Sequence, residues 1–206
     1  MSDSFLYTKL GKRESQKLTK MINLEMEGHA FAPDSATVMA AELPFYGEGW
    51  KIIEFSDHTD FPIVTRLAVQ NPEGEVMLTD YTADFVKGLN ETAPLTLTLA
   101  NADDYMRFYL EVVSGPKGKL YLVEAVDDMP WEEDISPQLR KTLYETVQPL
   151  SVAEYKDHYQ GKGVVLFKDA LFSLTLKVDL KTGAVSFSDQ DLVMEKLPVR
   201  DMTLGR

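Results

Sequence analysis

The stretch SLTLKVDL, residues 173–180, alternates apolar and polar side chains without a break, and it constrains the fold more than any other part of the chain. Successive side chains of a β-strand point to opposite faces, so its apolar residues share one face. These residues are Leu174, Leu176, Val178 and Leu180. A strand with one apolar and one polar face is typical of antiparallel sheets. The turn residues that follow, with Gly183 supplying a positive φ, predict a hairpin.

The rest of the C-terminal part carries signals of the same kind. The segments LSVAEYKDHYQ, GVVLF and AVSFSDQ are further strand candidates. Ahead of them, SPQLRKTLYETV predicts a helix, because Ser136 is a good N-cap and Pro137 suits the first helical position. Its predicted inner face carries Leu139, Leu143, Tyr144 and Val147. Residues 136–206 are therefore predicted to form one helix packed on an antiparallel β-meander.

The N-terminal part mixes short helices and strands. Helical spacing of apolar residues predicts helices within residues 11–26, 81–91 and 101–113. The segment GEGWKIIEF predicts a strand, and NPEG, residues 71–74, predicts the turn of a hairpin. The fold class is therefore α+β: a mostly antiparallel β-sheet with several short packed helices. We expect a single compact domain over residues 1–206, and the acidic connection DDMPWEED is where it would divide into residues 1–130 and 131–206.

The segment SGPKGKLYLVE, residues 114–124, resembles a phosphate-binding loop only in composition. Such a loop precedes a helix, whose N-terminal end attracts the phosphate. Here Gly115 follows a predicted helix, at the position of a C′ glycine, and a predicted buried strand comes after Lys119. The order helix, loop, strand therefore argues against phosphate binding and makes the segment a connection.

Composition limits the classes of function. The chain has no cysteine, which excludes disulfides and thiolate chemistry, and no long apolar run or signal-like N-terminus. We therefore expect a soluble, cytoplasmic protein that does not bind membranes. The net charge is −12, and residues 71–135 alone carry fourteen acidic and four basic side chains. Nucleic acid is accordingly not an expected partner.

The segment SDHTDF holds the strongest candidate for a metal site. Asp57, His58 and Asp60 lie within four residues, and carboxylate and imidazole groups can hold a divalent ion. A histidine beside a carboxylate can also act as a base. The competing interpretation is an ordinary turn, since Asp and His are common in turns. No cofactor is predicted.

Two further groups are candidates for binding. Tyr155, His158 and Tyr159 would form a polar, aromatic strand surface able to hold a small ligand, or they would simply fill space in a mixed sheet. Trp131 lies in the acidic connection and is a candidate interaction residue. Its other interpretation is a plug that packs this long loop onto the core.

Two common motifs for hydrolytic catalysis are absent: the chain has no G-x-S-x-G and no H-E-x-x-H. Whether it is an enzyme stays open, and the absence of motifs favours a non-catalytic binding or accessory protein that acts through protein–protein contact or self-association. The alternative is a divalent-metal-dependent hydrolase that uses the carboxylate and histidine site. A third hypothesis is a small-molecule-binding domain. In a homo-oligomer, the basic N-terminal segment would dock on an acidic surface of a second subunit through Lys9, Lys12, Arg13, Lys17 and Lys20.

Overall fold

The computed structural model describes residues 5–26, 28, 30–59 and 63–200. Within these residues the chain forms four α-helices and twelve β-strands. The helices are α1 (Lys12–Ile22), α2 (Ala83–Thr92), α3 (Ala102–Val112) and α4 (Pro137–Thr146). All strand pairs in these residues are antiparallel, so the fold is α+β with mostly antiparallel sheets, as predicted.

The first five strands form the N-terminal sheet, in the order β1-β2-β3-β4-β5. They are β1 (Thr8–Lys9), β2 (Thr37–Glu42), β3 (Lys51–Asp57), β4 (Val64–Gln70) and β5 (Val76–Leu78). Both faces of this sheet are buried. Ile53 packs in one cluster with Leu18 and Ile22 of α1, whereas its neighbour Ile52 packs on the opposite face with α2 and α3.

The last strands form the C-terminal sheet, in the order β12-β11-β10-β8, with β9 also paired to β10. They are β8 (Tyr121–Val123), β9 (Ser151–Glu154), β10 (His158–Phe167), β11 (Ala170–Asp179) and β12 (Val185–Met194). Between α3 and β8 lies a small hairpin of β6 (Ser114–Gly115) and β7 (Gly118–Lys119). The predicted helix and antiparallel meander are thus confirmed as α4 followed by β9 to β12.

Helix α3 packs against both sheets through its apolar residues, and its remaining side carries partly exposed charged residues. Phe108 and Tyr105 share one cluster with Ile52 of the N-terminal sheet and with Val165 and Leu176 of the C-terminal sheet. An apolar stripe this wide indicates that the helix packs against more than one element. The two sheets are therefore joined by one apolar core that contains α3.

The second face of the C-terminal sheet is covered only in part. Leu143 of α4 packs with Val164, Leu166 and Leu171 at one end of the sheet. Edge strand β12 remains largely exposed, and its register against β11 shifts twice, at β-bulges. The prediction that Tyr144 faces inward is wrong: it is 53% exposed, because α4 packs on the sheet through Leu139, Leu143 and Val147.

Three other local expectations need correction. The segment 150–160 is not one strand, because residues 155–157 form a turn between β9 and β10. Gly115 is not a C′ glycine: α3 ends at Val112, its C-cap Val113 is extended, and the residue of this segment with a positive φ, 126°, is Gly118. Strand β8 is only partly buried. Among the described helices, none is long and apolar enough to cross a membrane.

Candidate functional site

A groove of about 560 Å³ separates α2 from the turn that joins β11 to β12, and we call it the helix–turn groove. One wall is a side of α2 that carries Ala83, Asp84, Val86, Lys87, Asn90 and Glu91. The other is residues 181–185 of the turn and of β12. Tyr109 of α3 lies between them. Val86, Tyr109 and Val185 give the groove an apolar lining. Concave surfaces with such a lining are suited to binding.

A chain of hydrogen bonds fixes the floor of this groove. The Tyr46 hydroxyl donates to Asn90 Oδ1 at 2.6 Å, and Asn90 Nδ2 donates to the Tyr105 hydroxyl at 2.7 Å. The Tyr105 hydroxyl donates to the Gly183 carbonyl at 2.7 Å, and Asn90 Nδ2 also reaches the Thr182 carbonyl at 3.0 Å. Four separate segments of the chain are held together by these bonds. The groove is therefore pre-formed, because both of its walls are tied to α3 and to the N-terminal sheet.

The two phenols in this network are not acids or bases near neutral pH. Burial raises the pKa of Tyr105 to about 12, although the hydrogen bond from Asn90 acts in the opposite direction. Burial also raises the pKa of Tyr46 well above its ordinary value. Both hydroxyls therefore stay protonated and keep donating their hydrogen bonds. Their contribution is to the shape of the groove.

Glycine is required at position 183. Its φ of 66° lies in the left-handed region, which side chains rarely adopt. A Cβ at this position would lie 2.6 Å from Asn90 Nδ2 and 2.8 Å from the Tyr105 hydroxyl. The predicted role of Gly183 as a turn residue is confirmed, and the contacts add a second reason for it. The turn can approach the network closely because no side chain intervenes.

Charged side chains surround the opening. Asp84, Lys87 and Glu91 line it from α2, and Lys181 lines it from the turn. Within the part of the chain that the structure describes, none of these four forms an ion pair. The groove therefore offers charges of both signs to an occupant.

Beyond Tyr109, the apolar surface continues onto β12. The Tyr109 and Phe187 rings are 6.0 Å apart between centroids, and Phe187 is 37% exposed. An aromatic ring half open to solvent beside a groove is the type of residue that contributes to binding surfaces. The helix–turn groove and Phe187 form one continuous candidate surface.

The predicted metal residues lie at the end of β3, in the N-terminal sheet. Asp57 is buried, and its Oδ1 accepts hydrogen bonds from the amide and the hydroxyl of Thr59, at 2.8 and 2.6 Å. His58 is exposed and its Nε2 lies 3.1 Å from Ser56 Oγ. Asp60 lies outside the described residues. Among the described residues, no group of three or more His, Cys, Asp or Glu side chains could hold a metal ion, so this site stays a prediction.

Two of the three predicted ligand residues meet. The rings of Tyr155 and His158 stack, with centroids 4.9 Å apart and planes 4° apart, and His158 Nδ1 lies 2.7 Å from Asp157 Oδ1. Beside them is a shallow depression of about 310 Å³ that Lys177 also lines. Tyr159 is separate, because it follows His158 on β10, points to the opposite face and is buried in the core.

Trp131 makes the contacts of a residue that fixes a loop. Its indole Nε1 donates to the Val126 carbonyl at 3.0 Å, and its backbone forms a bridge with Val199. The ring packs beside the cluster that contains Leu143. These contacts fit the interpretation as a loop plug, and a role of Trp131 in an interaction stays a prediction.

Most residues of the helix–turn groove carry no local signal in the sequence. They come from α2, from α3 and from a turn about ninety residues further on, as the contact between Asn90 and Thr182, 92 positions apart, illustrates. Gly183 is the member that turn chemistry identifies, and only as a turn residue. A search with protein-family models, with curated proteins and with solved structures finds nothing that matches this chain.

Proposed function

We propose that this protein is a non-catalytic binding protein, and that the helix–turn groove receives an extended segment of a partner protein. The observation that carries the proposal is the pre-formed groove of about 560 Å³, whose apolar surface continues onto exposed Phe187. Binding pockets have volumes of about 300–1,000 Å³ and combine apolar walls with a few polar groups. A groove that is already ordered also reduces the entropy lost on binding.

Charge favours a partner segment that carries basic side chains. The chain has a net charge of −12, so its field attracts cations. Asp84 and Glu91 are available for contact at the opening and stand seven positions apart on α2, a rise of about 10 Å. Two basic side chains at that spacing, with an apolar side chain between them, would complement the groove. Lys87 and Lys181 disfavour a segment that is basic throughout, so an acidic residue would accompany them.

The groove itself supports binding better than catalysis. The network beneath it consists of neutral groups that already have hydrogen-bond partners. The titratable groups at its opening lie on the exposed rim of the groove, where water has access. A catalytic acid or base is usually perturbed by burial or by a close partner. The features of the groove are those of a docking surface.

The test uses a phage-displayed library of random peptides of about twelve residues, selected on the full chain. Lys87→Trp places a large ring in the groove, whereas Gly88→Trp places the same ring at the next, exposed position of α2, which does not line the groove. We expect enriched peptides in which an apolar residue is flanked by Lys or Arg. Their dissociation constants, measured by calorimetry, should rise about tenfold or more in Lys87→Trp, which is about 1.4 kcal/mol, and stay unchanged in Gly88→Trp.

Three results would contradict the proposal. The first is a selection that enriches no sequence over the unselected library. The second is equal binding of the enriched peptides to both tryptophan variants. The third concerns self-association: a dimer seen by sedimentation equilibrium and lost only in Lys87→Trp would place a second copy of the chain in the groove, instead of a different protein.

A further inference from the structure

A second pocket, of about 410 Å³, lies between the β6–β7 hairpin and the C-terminal sheet, and we call it the hairpin pocket. Its lining is largely apolar. Pro116 and Leu120 contribute from the hairpin side, and Val165, Phe167, Phe172 and Leu174 contribute from the sheet. Val165 and Leu174 are buried core residues, whereas the two phenylalanines are half-buried. The pocket is therefore a recess that leads from the surface down to the apolar core.

The hairpin can form this wall because of its glycines. Gly118 has a φ of 126°, and a Cβ there would lie 3.3 Å from the ring of Phe167. Glycine thus lets the hairpin backbone approach the aromatic side of the pocket. The second lysine of the hairpin, Lys119, is buried and paired with Glu111 at 2.9 Å. Only Lys117 extends from the hairpin to the opening of the pocket.

Positive charge collects at this opening in a molecule that is otherwise acidic. Lys117 is exposed, lines the pocket and has no ion pair within the described part of the chain. Lys168, in the turn after β10, has its Nζ 5.6 Å from the centroid of the Phe167 ring, which lines the pocket. On β12, Asp191 is paired with Ser173 and therefore faces the other side of the sheet from Leu174. The opening of the hairpin pocket accordingly favours an anion.

We propose that the hairpin pocket binds a free, medium-chain carboxylate, with its apolar chain in the recess and its carboxylate beside Lys117. An apolar lining favours a hydrocarbon chain, and Lys117, the lysine that lines the pocket, favours a negative group at the end of that chain. The volume suits one small ligand. A net charge of −12 opposes attachment to an anionic membrane surface, so the ligand is taken from solution.

Chain length provides the first test. Binding of hexanoate, octanoate and decanoate to the full chain would be measured by calorimetry. Each added methylene that enters the recess should tighten binding about fourfold, the factor that corresponds to about 0.8 kcal/mol, until the recess is full. An affinity that does not change with chain length would overturn the proposal, because the chain would then lie outside the recess.

Matched variants provide the second test. Gln190 lines the pocket, whereas the adjacent Asp191 faces the other side of the sheet, and both are exposed residues of β12. Gln190→Trp should abolish octanoate binding and Asp191→Trp should leave it unchanged, with both variants folded by circular dichroism. Equal effects of the two substitutions would place the ligand elsewhere. Lys87→Trp, in the helix–turn groove, should have no effect, so this proposal and the proposed function fail independently.

The role of Lys117 is tested with a neutral analogue. Octanoate should bind about threefold to tenfold more tightly than octan-1-ol to the unmodified chain, a difference that Lys117→Gln removes. Equal affinities for the acid and the alcohol would overturn the assignment of the carboxylate to Lys117. Co-sedimentation with phosphatidylglycerol vesicles that is lost in Gln190→Trp would replace the free carboxylate by a membrane lipid. We expect no co-sedimentation.

Discussion

The two sheets of this protein have five strands each, but they differ in how completely they are covered. In the N-terminal sheet, neighbouring residues Ile52 and Ile53 are both fully buried, one on each face. In the C-terminal sheet, strand β12 forms a ten-residue edge on which Phe187 and Leu192 are exposed. The helix–turn groove and the hairpin pocket both lie on this second sheet. Binding capacity is therefore expected where the layer of helices is incomplete.

The exposed edge of the C-terminal sheet is protected against simple strand addition. Two bulges interrupt the pairing of β12 with β11, and Asp189 has a φ of 50°. Bulges of this kind twist an edge strand and hinder the pairing of another strand with it. A partner is thus expected to contact the face of the sheet, where the groove and the pocket lie, and not its edge.

The largest expected effect separates the two sheets directly. Phe55 is fully buried in the N-terminal sheet and packs against Phe31, with ring centroids 6.1 Å apart. Phe55→Ala should lower the free energy of unfolding by about 3–5 kcal/mol, through lost burial and the cavity left behind. Phe187→Ala should lower it by about 1 kcal/mol or less, because that ring is partly exposed. Urea unfolding measures both losses of unfolding free energy. Equal losses would show that the two sheets do not differ in how far these residues are buried.

The second prediction compares two turns with positive φ. Gly183→Ala in the C-terminal sheet introduces both backbone strain and a collision with Asn90 and Tyr105, and it should cost about 2–4 kcal/mol. Gly74, in the turn between β4 and β5, has a φ of 86°, and the space that an alanine Cβ would occupy there is open. Gly74→Ala should cost about 1–2 kcal/mol, from strain alone. Thermal denaturation gives the loss of unfolding free energy for each variant, and the difference between the two losses is the contribution of crowding under the groove. If Gly74→Ala lowers the unfolding free energy as much as Gly183→Ala does, the contacts with Asn90 and Tyr105 add nothing to the loss.

A third prediction concerns the hydrogen bond that links the groove to Tyr46, in the connection between β2 and β3 of the N-terminal sheet. Tyr46→Phe removes one donor to Asn90 and should cost about 1–3 kcal/mol, because a part-buried carbonyl oxygen loses its partner. Asn90→Ala should cost at least as much. In a double-mutant cycle the two losses should not add, since the residues share one network. Strict additivity would show that the groove and the N-terminal sheet are energetically independent.

The smallest expected effect is on pH dependence. At the β11–β12 turn, hydrogen bonds from the amide and hydroxyl of Thr182 and from the amide of Lys181 lower the pKa of Asp179. A lowered pKa stabilises the fold fully above the unfolded value of about 3.9, and this contribution is lost as pH falls through the folded value. Asp179→Asn should therefore show a smaller decline in urea midpoint than the unmodified chain between pH 6 and pH 3. Parallel declines would mean that Asp179 does not support the groove wall.

Strong periodicity predicted most of the elements. The four α-helices, the hairpin of β4 and β5 and the meander of β10 to β12 all appear where apolar spacing places them. Strand β2, TVMAAE, was not predicted, because two alanines and a methionine give little strand signal and it is pairing with β3 that makes this segment a strand. The wrong assignment of Gly115 has a similar cause. Gly115 lies close enough to the helix end to suit a C′ position, but the positive φ falls on Gly118, where the hairpin backbone packs close to Phe167.

Periodicity in the sequence identifies most of the helices and strands and most of their buried sides, because periods of 3.6 and 2 are local properties. The sequence also determined that Gly183 lies in a turn. Two features follow from tertiary packing and have no local signal: α3 packs against both sheets, and the turn at Gly183 closes on Asn90 and Tyr105. Apolar periodicity predicts that a face is buried, but it does not predict which other element packs against that face. The groove and the pocket lie where two such faces are not fully packed against each other, and their lining residues come from distant parts of the chain.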